Sequence, residues 1–316
     1  MRVLFAGSPA IAVPALEALL ASSHEAVGVL TNPDAPRGRG LALSRTEVAE
    51  RAAALAPGLP ILSPARLGPE ERAAVEALRP DLLAVFAYGT IFGPRFLSLF
   101  PRGGINVHPS LLPRWRGCAP IPFAILNRDA ETGVSVQRLE RRMDTGDILA
   151  RERIPLDGSE TTGSLSETAA VLGARLLVRV LDDIEAGRER GEPQDEAGAS
   201  YSSAIAKDDG RIDWSRPSAE IDALVRACDP WPGAWTMLGG ERLAVLGMAV
   251  HPAEGPEDEA AEPGTVLRVD KSKGIMVKTG MALAAITRLQ ARGKRPLPFR
   301  DFANGVRGLP GSRLGP

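Results

Sequence analysis

The chain has 316 residues, of which 44% are hydrophobic and 24% are charged, and its formal net charge is −1. This length allows one large domain and a smaller one, and the composition is ordinary for a globular protein. No apolar run approaches the roughly 18 residues that a membrane-spanning helix needs, and two cysteines are too few for a disulfide framework. We therefore predict a cytoplasmic protein without membrane contact.

Short apolar runs alternate with helix-length periodic segments in the first part of the chain. We predict strands at 2–6, 26–30, 81–87 and 104–108, and helices at 11–21, 44–56 and 69–79. This alternation predicts an α/β, Rossmann-like domain with a mostly parallel sheet and helices on both faces. Ligands of such sheets bind beyond the carboxyl ends of the strands, where Gly7, Tyr88, Asn106 and His108 fall.

The first predicted strand-to-helix turn disfavours a dinucleotide site. Only Gly7, followed by Ser8 and Pro9, stands where a nicotinamide-binding enzyme needs a glycine-rich turn. The three histidines of the chain are far apart in sequence, so we also expect no metal ion.

A strand pair at 133–139 and 148–154 comes next, followed by a long amphipathic helix at 165–184 capped by Thr161 or Thr162. Residues 186–207 are rich in Gly, Glu, Ser, Asp and Ala and show no periodicity, which indicates a linker. Beyond it we predict a helix at 217–228, an aromatic turn at 230–235, and strands at 242–250, 265–269, 275–279 and 281–289. Short strands with glycine turns are typical of a small β-barrel or a sandwich. The predicted divisions are 1–187, a linker at 188–207, and 208–316.

The end of the chain is strongly basic. From residue 264 onward, eleven Lys and Arg residues oppose two Asp residues, a charge of +9. An acidic stretch with Pro and Gly precedes it at 254–262. The basic segment is either a solvated surface or a footprint for a phosphate backbone, to which Lys294 and Arg295 belong.

The segment 104–120 is the most informative part of the chain. It delivers Asn106 and His108 two residues apart, so both side chains project to one face of a strand just before Pro109. An amide donor beside an imidazole is suited to chemistry at a carbonyl, where an oxyanion forms and protons move. Asn-x-His alone is also compatible with a simple strand end, and Asp144 alone with a turn-forming residue.

Several motifs in a fixed order resemble those of the folate-dependent formyltransferases. They are the runs Phe5-Ala6-Gly7-Ser8-Pro9, Asn106-Val107-His108-Pro109-Ser110-Leu111-Leu112-Pro113, Met143-Asp144-Thr145-Gly146-Asp147 and Arg211-Ile212-Asp213-Trp214. The resemblance extends over nearly all of the chain, and within the family it favours the members that act on a charged tRNA. It implies that the second domain is an OB-like β-barrel.

The resemblance implies a reaction and a catalytic group. The reaction is transfer of the formyl group of 10-formyltetrahydrofolate to the amino group of methionine on initiator Met-tRNA, for translation initiation. Asn106, His108 and Asp144 match the family's catalytic residues. Asn106 is expected to donate to the formyl oxygen and His108 to move protons, with Asp144 orienting the imidazole. We expect a monomer.

The resemblance also implies binding residues. The folate donor is expected to contact Ser110, Leu111, Leu112, Pro113, Phe86 and Tyr88, although core packing is the expected role of at least one of Phe86 and Phe92. Initiator tRNA is expected to contact Arg37 and Arg39 in the loop 33–43. Arg114 and Arg116 are expected to contact either folate or tRNA phosphate. Arg142 stands where the family commonly has a glycine, which matters if that position requires a positive φ.

Two other functions remain open from the sequence. One is a formyltransferase of the same fold whose acceptor is an amino sugar nucleotide, and the other is an RNA-binding protein without catalysis. The arginines in the loop 33–43 and the basic tail argue against the first. The complete set Asn106, His108 and Asp144 argues against the second.

Overall fold

The structure, a computed structural model, describes residues 1–37 and 42–315. The chain divides into two units. The first comprises Met1–Pro120, Glu131–Pro155 and Leu165–Ser203, and the second comprises Ile121–Ala130, Leu156–Ser164 and the chain from Ala204 onward. The division at residue 203 falls inside the predicted linker at 188–207, because the chain as far as Ser203 packs with the first unit.

Strands and helices alternate up to residue 203. In chain order they are β1 (Arg2–Gly7), α1 (Val13–Ala21), β2 (Glu25–Leu30), β3 (Ala35–Arg37), β4 (Ala42–Ser44), α2 (Glu47–Leu55), β5 (Ile61–Leu62), α3 (Pro69–Ala77), β6 (Leu82–Phe86), α4 (Pro94–Leu97), β7 (Gly104–His108), β8 (Arg116–Gly117), α5 (Pro120–Leu126), β9 (Glu131–Arg138), β10 (Ile148–Pro155), α6 (Thr162–Glu185) and β11 (Tyr201–Ser202).

Seven of these strands form the central sheet, in the order β10-β9-β7-β6-β1-β2-β5. The strands from β7 to β5 in that order are all parallel, whereas β9 and β10 are antiparallel additions at one edge. The predicted α/β class with a mostly parallel sheet is therefore confirmed. The two antiparallel strands matter for function because they lie beside β7.

Helices pack on both faces of this sheet. Leu83 and Val85 of β6 belong to one buried cluster with Val75 of α3. Phe86, the next residue of β6, projects to the opposite face. There it meets α6, where a Cβ built on Gly173 would lie 3.0 Å from the Phe86 ring.

Local hydrogen bonds explain where the helix boundaries differ from the predictions. The helix predicted at 44–56 begins at Glu47, because Ser44 pairs in β4 and the Thr46 hydroxyl accepts a hydrogen bond from Ala49 N at 3.1 Å. The long helix α6 begins three residues before the predicted position. Its predicted cap is confirmed, because Thr161 Oγ1 accepts a hydrogen bond from Ser164 N at 3.2 Å.

The second unit is built mainly from antiparallel strands. Its elements from residue 204 onward are α7 (Ser218–Ala227), β12 (Ala234–Leu238), β13 (Glu241–His251), α8 (Pro256–Ala260), β14 (Val266–Asp270), β15 (Gly274–Lys278), β16 (Leu283–Ala291), β17 (Leu297–Pro298) and α9 (Phe299–Asn304). Within the described ranges, no helix is both long enough and apolar enough to cross a membrane.

The sheet of the second unit runs in the order β12-β13-β16-β15-β14, with β17 paired to β16. Its two edges are joined by the end of the chain, because Leu314 bridges Leu238, the last residue of β12, and Arg313 bridges Thr265, just before β14. This closure favours a small barrel over a sandwich. The prediction missed β12, which lies partly within the predicted aromatic turn, and the short strand β17.

Candidate active site

Strand β7 ends in the pair of polar residues that the sequence singled out. The register pairs Asn106 with Val85 of β6 on one side and with Gln137 of β9 on the other. His108 follows two residues later and projects to the same face. Because directly paired residues of neighbouring strands share a face, the Gln137 side chain joins Asn106 and His108 there.

The loop between β9 and β10 brings Asp144 to this group. Its Oδ1 accepts hydrogen bonds from Gln137 Nε2 at 2.8 Å and from Asn106 Nδ2 at 3.3 Å. Its Oδ2 accepts one from Gly117 N at 2.9 Å. His108 Nδ1 lies 3.7 Å from Asp144 Oδ1. The three residues predicted as the catalytic group therefore lie together, and Gln137 and the Gly117 amide complete the setting of the carboxylate.

The second ring nitrogen of His108 determines how the imidazole is protonated. Nε2 lies 2.9 Å from the carbonyl oxygen of Trp115, which can only accept, so Nε2–H is the donor. Nδ1 is then the nitrogen that faces Asp144. It carries a lone pair in the neutral ring and a second N–H in the imidazolium. Because Nε2–H is engaged by the Trp115 carbonyl, Nδ1 is the ring nitrogen that is left to accept a proton.

A cavity of about 410 Å³ adjoins these polar side chains. Its lining includes the apolar and aromatic residues Val85, Tyr88, Ile91, Phe92, Leu97, Leu139 and Met143. The rings of Tyr88 and Phe92 stack with their centroids 5.5 Å apart. Burial raises the pKa of Tyr88 above its ordinary value, so its hydroxyl stays neutral. Ile91 and Met143 are 72% and 54% exposed, which leaves apolar surface at the mouth. An apolar wall with a few convergent polar groups is typical of small-molecule sites.

The predicted donor-binding residues divide into two groups. Tyr88 lines the cavity, whereas Phe86 and residues 110–113 do not. Phe86 is fully buried against α6. The segment 110–113 is held by internal hydrogen bonds instead, from Ser110 Oγ to Arg114 O at 2.6 Å and from Leu112 N to Ser135 Oγ at 3.1 Å. These residues support the backbone that leads away from His108.

Arg116 has neither of its two predicted roles, because its contacts are with other residues of the protein. Its side chain is fully buried, so it is not available to folate or tRNA phosphate. The guanidinium donates within 3.2 Å to three side chains, those of Gln194, Glu196 and Tyr201. The hydrogen bond between Arg116 and Glu196 raises the pKa of the arginine and lowers that of the glutamate. Arg116 thus anchors residues 194–201 on the first unit.

The left-handed backbone positions of the site fall on unexpected residues. Asp144 itself has a φ of +56°, so the positive φ in this loop does not fall on Arg142. Ala87 and Trp115, at +53° and +57°, flank the same cavity and histidine. Non-glycine residues rarely adopt this conformation, and those that do concentrate at functional sites.

The predicted tRNA contacts are described only in part. Arg39 lies outside the described residues, and so does the side chain of Arg37. Lys294 and Arg295 are exposed in the turn between β16 and β17. Among the described residues, neither takes part in an ion pair, so both charges face solvent.

The acidic stretch at 254–262 folds onto part of the basic tail. Glu254 pairs with Arg268 and Lys273, Asp258 pairs with Arg268, and Glu262 pairs with Arg313. The hydrogen bond from Arg268 lowers the pKa of Asp258 below its ordinary value. Three of the eleven basic residues are therefore locally neutralised, and the tail's available charge is smaller than the sequence indicates.

Comparison with known families identifies both parts of the chain. Residues 1–181 match the model described as Formyl transferase, and residues 204–307 match Formyl transferase, C-terminal domain. The chain belongs to the formyl transferase family. In the part of this formyl transferase that the structure describes, no three His, Cys, Asp or Glu side chains are grouped so as to hold a metal ion.

Three relatives in sequence share the name methionyl-tRNA formyltransferase. The chain is 44% identical over 312 residues to that of Treponema denticola, with 96% of this chain and 97% of the relative covered. It is 46% identical over 321 residues to that of Treponema pallidum, covering 100% and 99%. A third, from a Roseiflexus species, is 43% identical over 319 residues, covering 100% and 95%.

Solved structures share the fold at low sequence identity. HypX from Aquifex aeolicus, in complex with tetrahydrofolic acid, superposes with a TM-score of 0.65 at 18% identity. The match covers 98% of this chain and 48% of HypX, so the chain spans about half of that protein's length. An N-formyltransferase from Helicobacter canadensis, in complex with folinic acid and dTDP-3-aminofucose, gives 0.65 at 18%, covering 90% and 99%.

Proposed function

We propose that this formyl transferase moves the formyl group of 10-formyltetrahydrofolate to the amino group of methionine on initiator Met-tRNA. The observation that carries the proposal is the meeting of Asn106, His108 and Asp144 at one side of an apolar cavity. Relatives named methionyl-tRNA formyltransferase, at 43–46% identity over almost the whole chain, support the choice of acceptor.

The cavity has the chemistry to hold a folate as a substrate. A folate offers a flat heteroaromatic ring system and an aryl group, which suit an aromatic and apolar wall. The stacked rings of Tyr88 and Phe92 and the exposed side chains of Ile91 and Met143 provide such a wall. When bound, the folate supplies the formyl carbon and the nitrogen N10 as leaving group. Leu111 and Pro113, outside the lining, would act through the backbone that positions His108.

Asn106 and His108 have distinct roles in the transfer. Asn106 Nδ2 carries two N–H groups, and one donates to Asp144. The other is the donor for the negative charge that develops on the formyl oxygen. A bond forms between the methionine nitrogen and the formyl carbon, and the bond from that carbon to N10 breaks. The methionine nitrogen loses one proton and N10 gains one, so His108 Nδ1 can accept the first and return the second.

Asp144 orients the His108 ring for this proton exchange. Its carboxylate is fixed by three N–H donors and lies 3.7 Å from Nδ1, on the side where the imidazolium carries its second proton. Asp144 therefore orients the ring and places a carboxylate beside Nδ1 at the moment when this nitrogen carries the transferred proton.

We assign the tRNA to surfaces on both predicted domains. We assign catalysis and the acceptor-stem contacts Arg37 and Arg39 to the predicted division 1–187, with which the chain as far as Ser203 packs, and tRNA binding to the predicted division 208–316. Lys294 and Arg295 are its proposed phosphate contacts, because both are exposed and lack an acidic partner among the described residues. The protein is proposed to act in the cytoplasm as a monomer.

The test of the function is a panel of acceptors with 10-formyltetrahydrofolate as donor. We expect formyl transfer to charged initiator Met-tRNA, and none to the uncharged tRNA or to an amino sugar nucleotide. Transfer to the amino sugar nucleotide alone would replace the proposed acceptor. Binding of tRNA without transfer to any acceptor would favour a non-catalytic RNA-binding protein.

The phosphate contacts predict a specific change in salt dependence. A Lys294→Gln, Arg295→Gln double variant should bind Met-tRNA more weakly at low salt. The slope of log Kobs against log salt should become shallower by about 0.7–0.9 for each phosphate that the variant no longer neutralises. Fluorescence anisotropy over a salt series measures this slope.

The matched control is Lys273→Gln with Arg313→Gln. It removes the same charge from the same unit, but these side chains are paired with Glu254 and Glu262. The control should leave the slope nearly unchanged. An equally shallow slope in both double variants would mean that net charge, and not these two side chains, governs binding.

A further inference from the structure

Residues 188–203 form hydrogen bonds next to two loops of the active site, the loop that contains Asp144 and the loop that contains Trp115. Glu192 exchanges two backbone hydrogen bonds of 2.9 Å with Ile148, directly after the Asp144 loop. Strand β11 pairs in parallel with β8, directly after Trp115. Ser200 Oγ also accepts a hydrogen bond from Trp115 N at 2.9 Å. The segment therefore spans from the loop that holds Asp144 to the loop that contacts His108.

Gln194 lies at the centre of this span, with both polar atoms of its side chain engaged. Its Nε2 lies 2.9 Å from Asp144 O, 2.7 Å from Gly146 O and 3.1 Å from Gln137 Oε1. Its Oε1 accepts from the buried guanidinium of Arg116, at 3.0 Å from Nε and 2.9 Å from Nη2. One amide thus touches the backbone of the catalytic aspartate and of the glycine two residues after it.

The direction of each amide in this cluster is dictated by Arg116. A guanidinium only donates, so Gln194 must turn its Oε1 towards Arg116 and its Nε2 towards Gln137. Gln137 must then turn its Oε1 towards Gln194, which leaves its Nε2 to donate to Asp144 Oδ1 at 2.8 Å. This series of hydrogen bonds, Arg116–Gln194–Gln137–Asp144, therefore places an N–H of Gln137 against the carboxylate. If either amide were reversed, its NH₂ group would point at another N–H donor.

The same amide holds the backbone of Asp144 in an unfavourable conformation. Asp144 has a left-handed φ of +56°, a conformation that few residues with a side chain adopt and that neighbouring contacts must support. Gln194 Nε2 has two N–H groups and three acceptors within 3.1 Å, the carbonyl oxygens of Asp144 and Gly146 and Gln137 Oε1, so one N–H is shared between two of them. Gln194 therefore fixes both the backbone and the side chain of Asp144.

We propose that Gln194 is a positioning residue for the formyl transfer, acting through Gln137 and the Asp144 loop to hold the catalytic carboxylate towards His108. Gln194 does not line the cavity that is proposed to hold the formyl donor. The proposal rests on the proposed function for its kinetic readout. It extends the active site to a segment that the sequence indicated only as a linker.

The test compares Gln194→Glu with Gln194→Ala. A glutamate keeps an acceptor for Arg116 but has no N–H, so it faces the carbonyls of Asp144 and Gly146 with another acceptor. We expect kcat to fall by about 10- to 100-fold in both variants, because a misplacement of about 1 Å in an active site can lower the rate by about 10²-fold. KM for the formyl donor should stay near the wild-type value, since Gln194 does not line the cavity.

The matched control is Glu192→Ala, two residues away. Glu192 holds an exposed ion pair with Arg151, and its backbone bonds to Ile148 do not depend on the side chain. This control should retain wild-type kcat. Equal decreases of kcat in Glu192→Ala and in the Gln194 variants would assign the effect to docking of the segment and overturn the proposal.

A crystal structure of Gln194→Glu gives a readout that is independent of activity. We expect the Asp144 carboxylate to leave the Gly117 amide or its distance to His108 Nδ1 to lengthen. An unmoved carboxylate would overturn the positioning role, whatever the kinetics. Wild-type protein that transfers no formyl group to Met-tRNA would instead overturn the proposed function, and the crystal structure would still decide the role of Gln194.

Discussion

Replacing His108 with alanine should lower kcat for formyl transfer by about 10²–10³-fold, the usual cost of losing one partner of the transition state. The physical reason is that alanine has no ring nitrogen, so nothing in the site carries the proton from the methionine nitrogen to N10. Affinity for Met-tRNA should be unchanged, because His108 is buried and its polar neighbours, Trp115 and Asp144, belong to the same unit. Single-turnover transfer and a separate tRNA-binding titration measure the two effects.

His251→Ala is the control for removing a histidine. His251 ends β13 in the second unit and is not part of the cavity lining. It should keep the wild-type turnover. Undiminished turnover in His108→Ala would remove this residue from the mechanism and leave the proton transfer to solvent.

Replacing Asp144 with asparagine should reduce kcat by about 10²–10⁴-fold, the range over which positioned acid–base groups contribute. Both carboxylate oxygens accept hydrogen bonds, Oδ1 from Gln137 and Asn106 and Oδ2 from the Gly117 amide. An asparagine must turn its NH₂ group against one of these donors, so the side chain cannot be accommodated as the carboxylate is. It also lacks the negative charge that the carboxylate places 3.7 Å from His108 Nδ1.

Asp147→Asn provides the comparison for this variant. Asp147 is an exposed carboxylate three residues along the same loop, outside the lining of the cavity. In steady-state kinetics, Asp147→Asn should keep the wild-type kcat while Asp144→Asn shows the whole decrease. Thermal melting verifies that both variants are folded. Similar turnover in Asp144→Asn and Asp147→Asn would contradict an electrostatic role for Asp144.

The central sheet was predictable because each strand is a short buried run between helical patterns. The runs that became β1, β2 and β6 are apolar at nearly every position, as parallel strands covered on both faces must be, whereas β7 departs from this pattern only at Asn106 and His108. The pairing of β3 with β4 and the short strand β17 were not predictable from such runs. Pairing of this kind depends on register, which apolar patterning alone does not determine in strands this short.

The site was predictable where it depends on local spacing. Asn106 and His108 share a face because they are two residues apart on one strand, and the motif around Asp144 identified the third member. Gln137 and Gln194 had no comparable signal. Gln137 meets Asp144 through the antiparallel register of β9, and Gln194 through a segment 50 residues away in sequence. The polar composition of that segment predicted a linker. Its side chains are held by hydrogen bonds and not by apolar packing, and a hydrophobic pattern does not reveal such contacts.

Arg116 illustrates why a charge in a sequence does not define a ligand site. It stands in a basic run beside the catalytic strand, which suggested contact with folate or phosphate. The structure buries it completely and satisfies it with Gln194, Glu196 and Tyr201. Only the non-local partners determine whether such an arginine binds a substrate or supports the residues that do.

The most direct test of the account is one single-turnover reaction with labelled 10-formyltetrahydrofolate, in which charged initiator Met-tRNA and an amino sugar nucleotide compete as acceptors. The account predicts that the label appears on the methionine of the tRNA alone, and that His108→Ala abolishes this transfer on the same time scale. Label on the amino sugar nucleotide, or undiminished transfer by the variant, would contradict it.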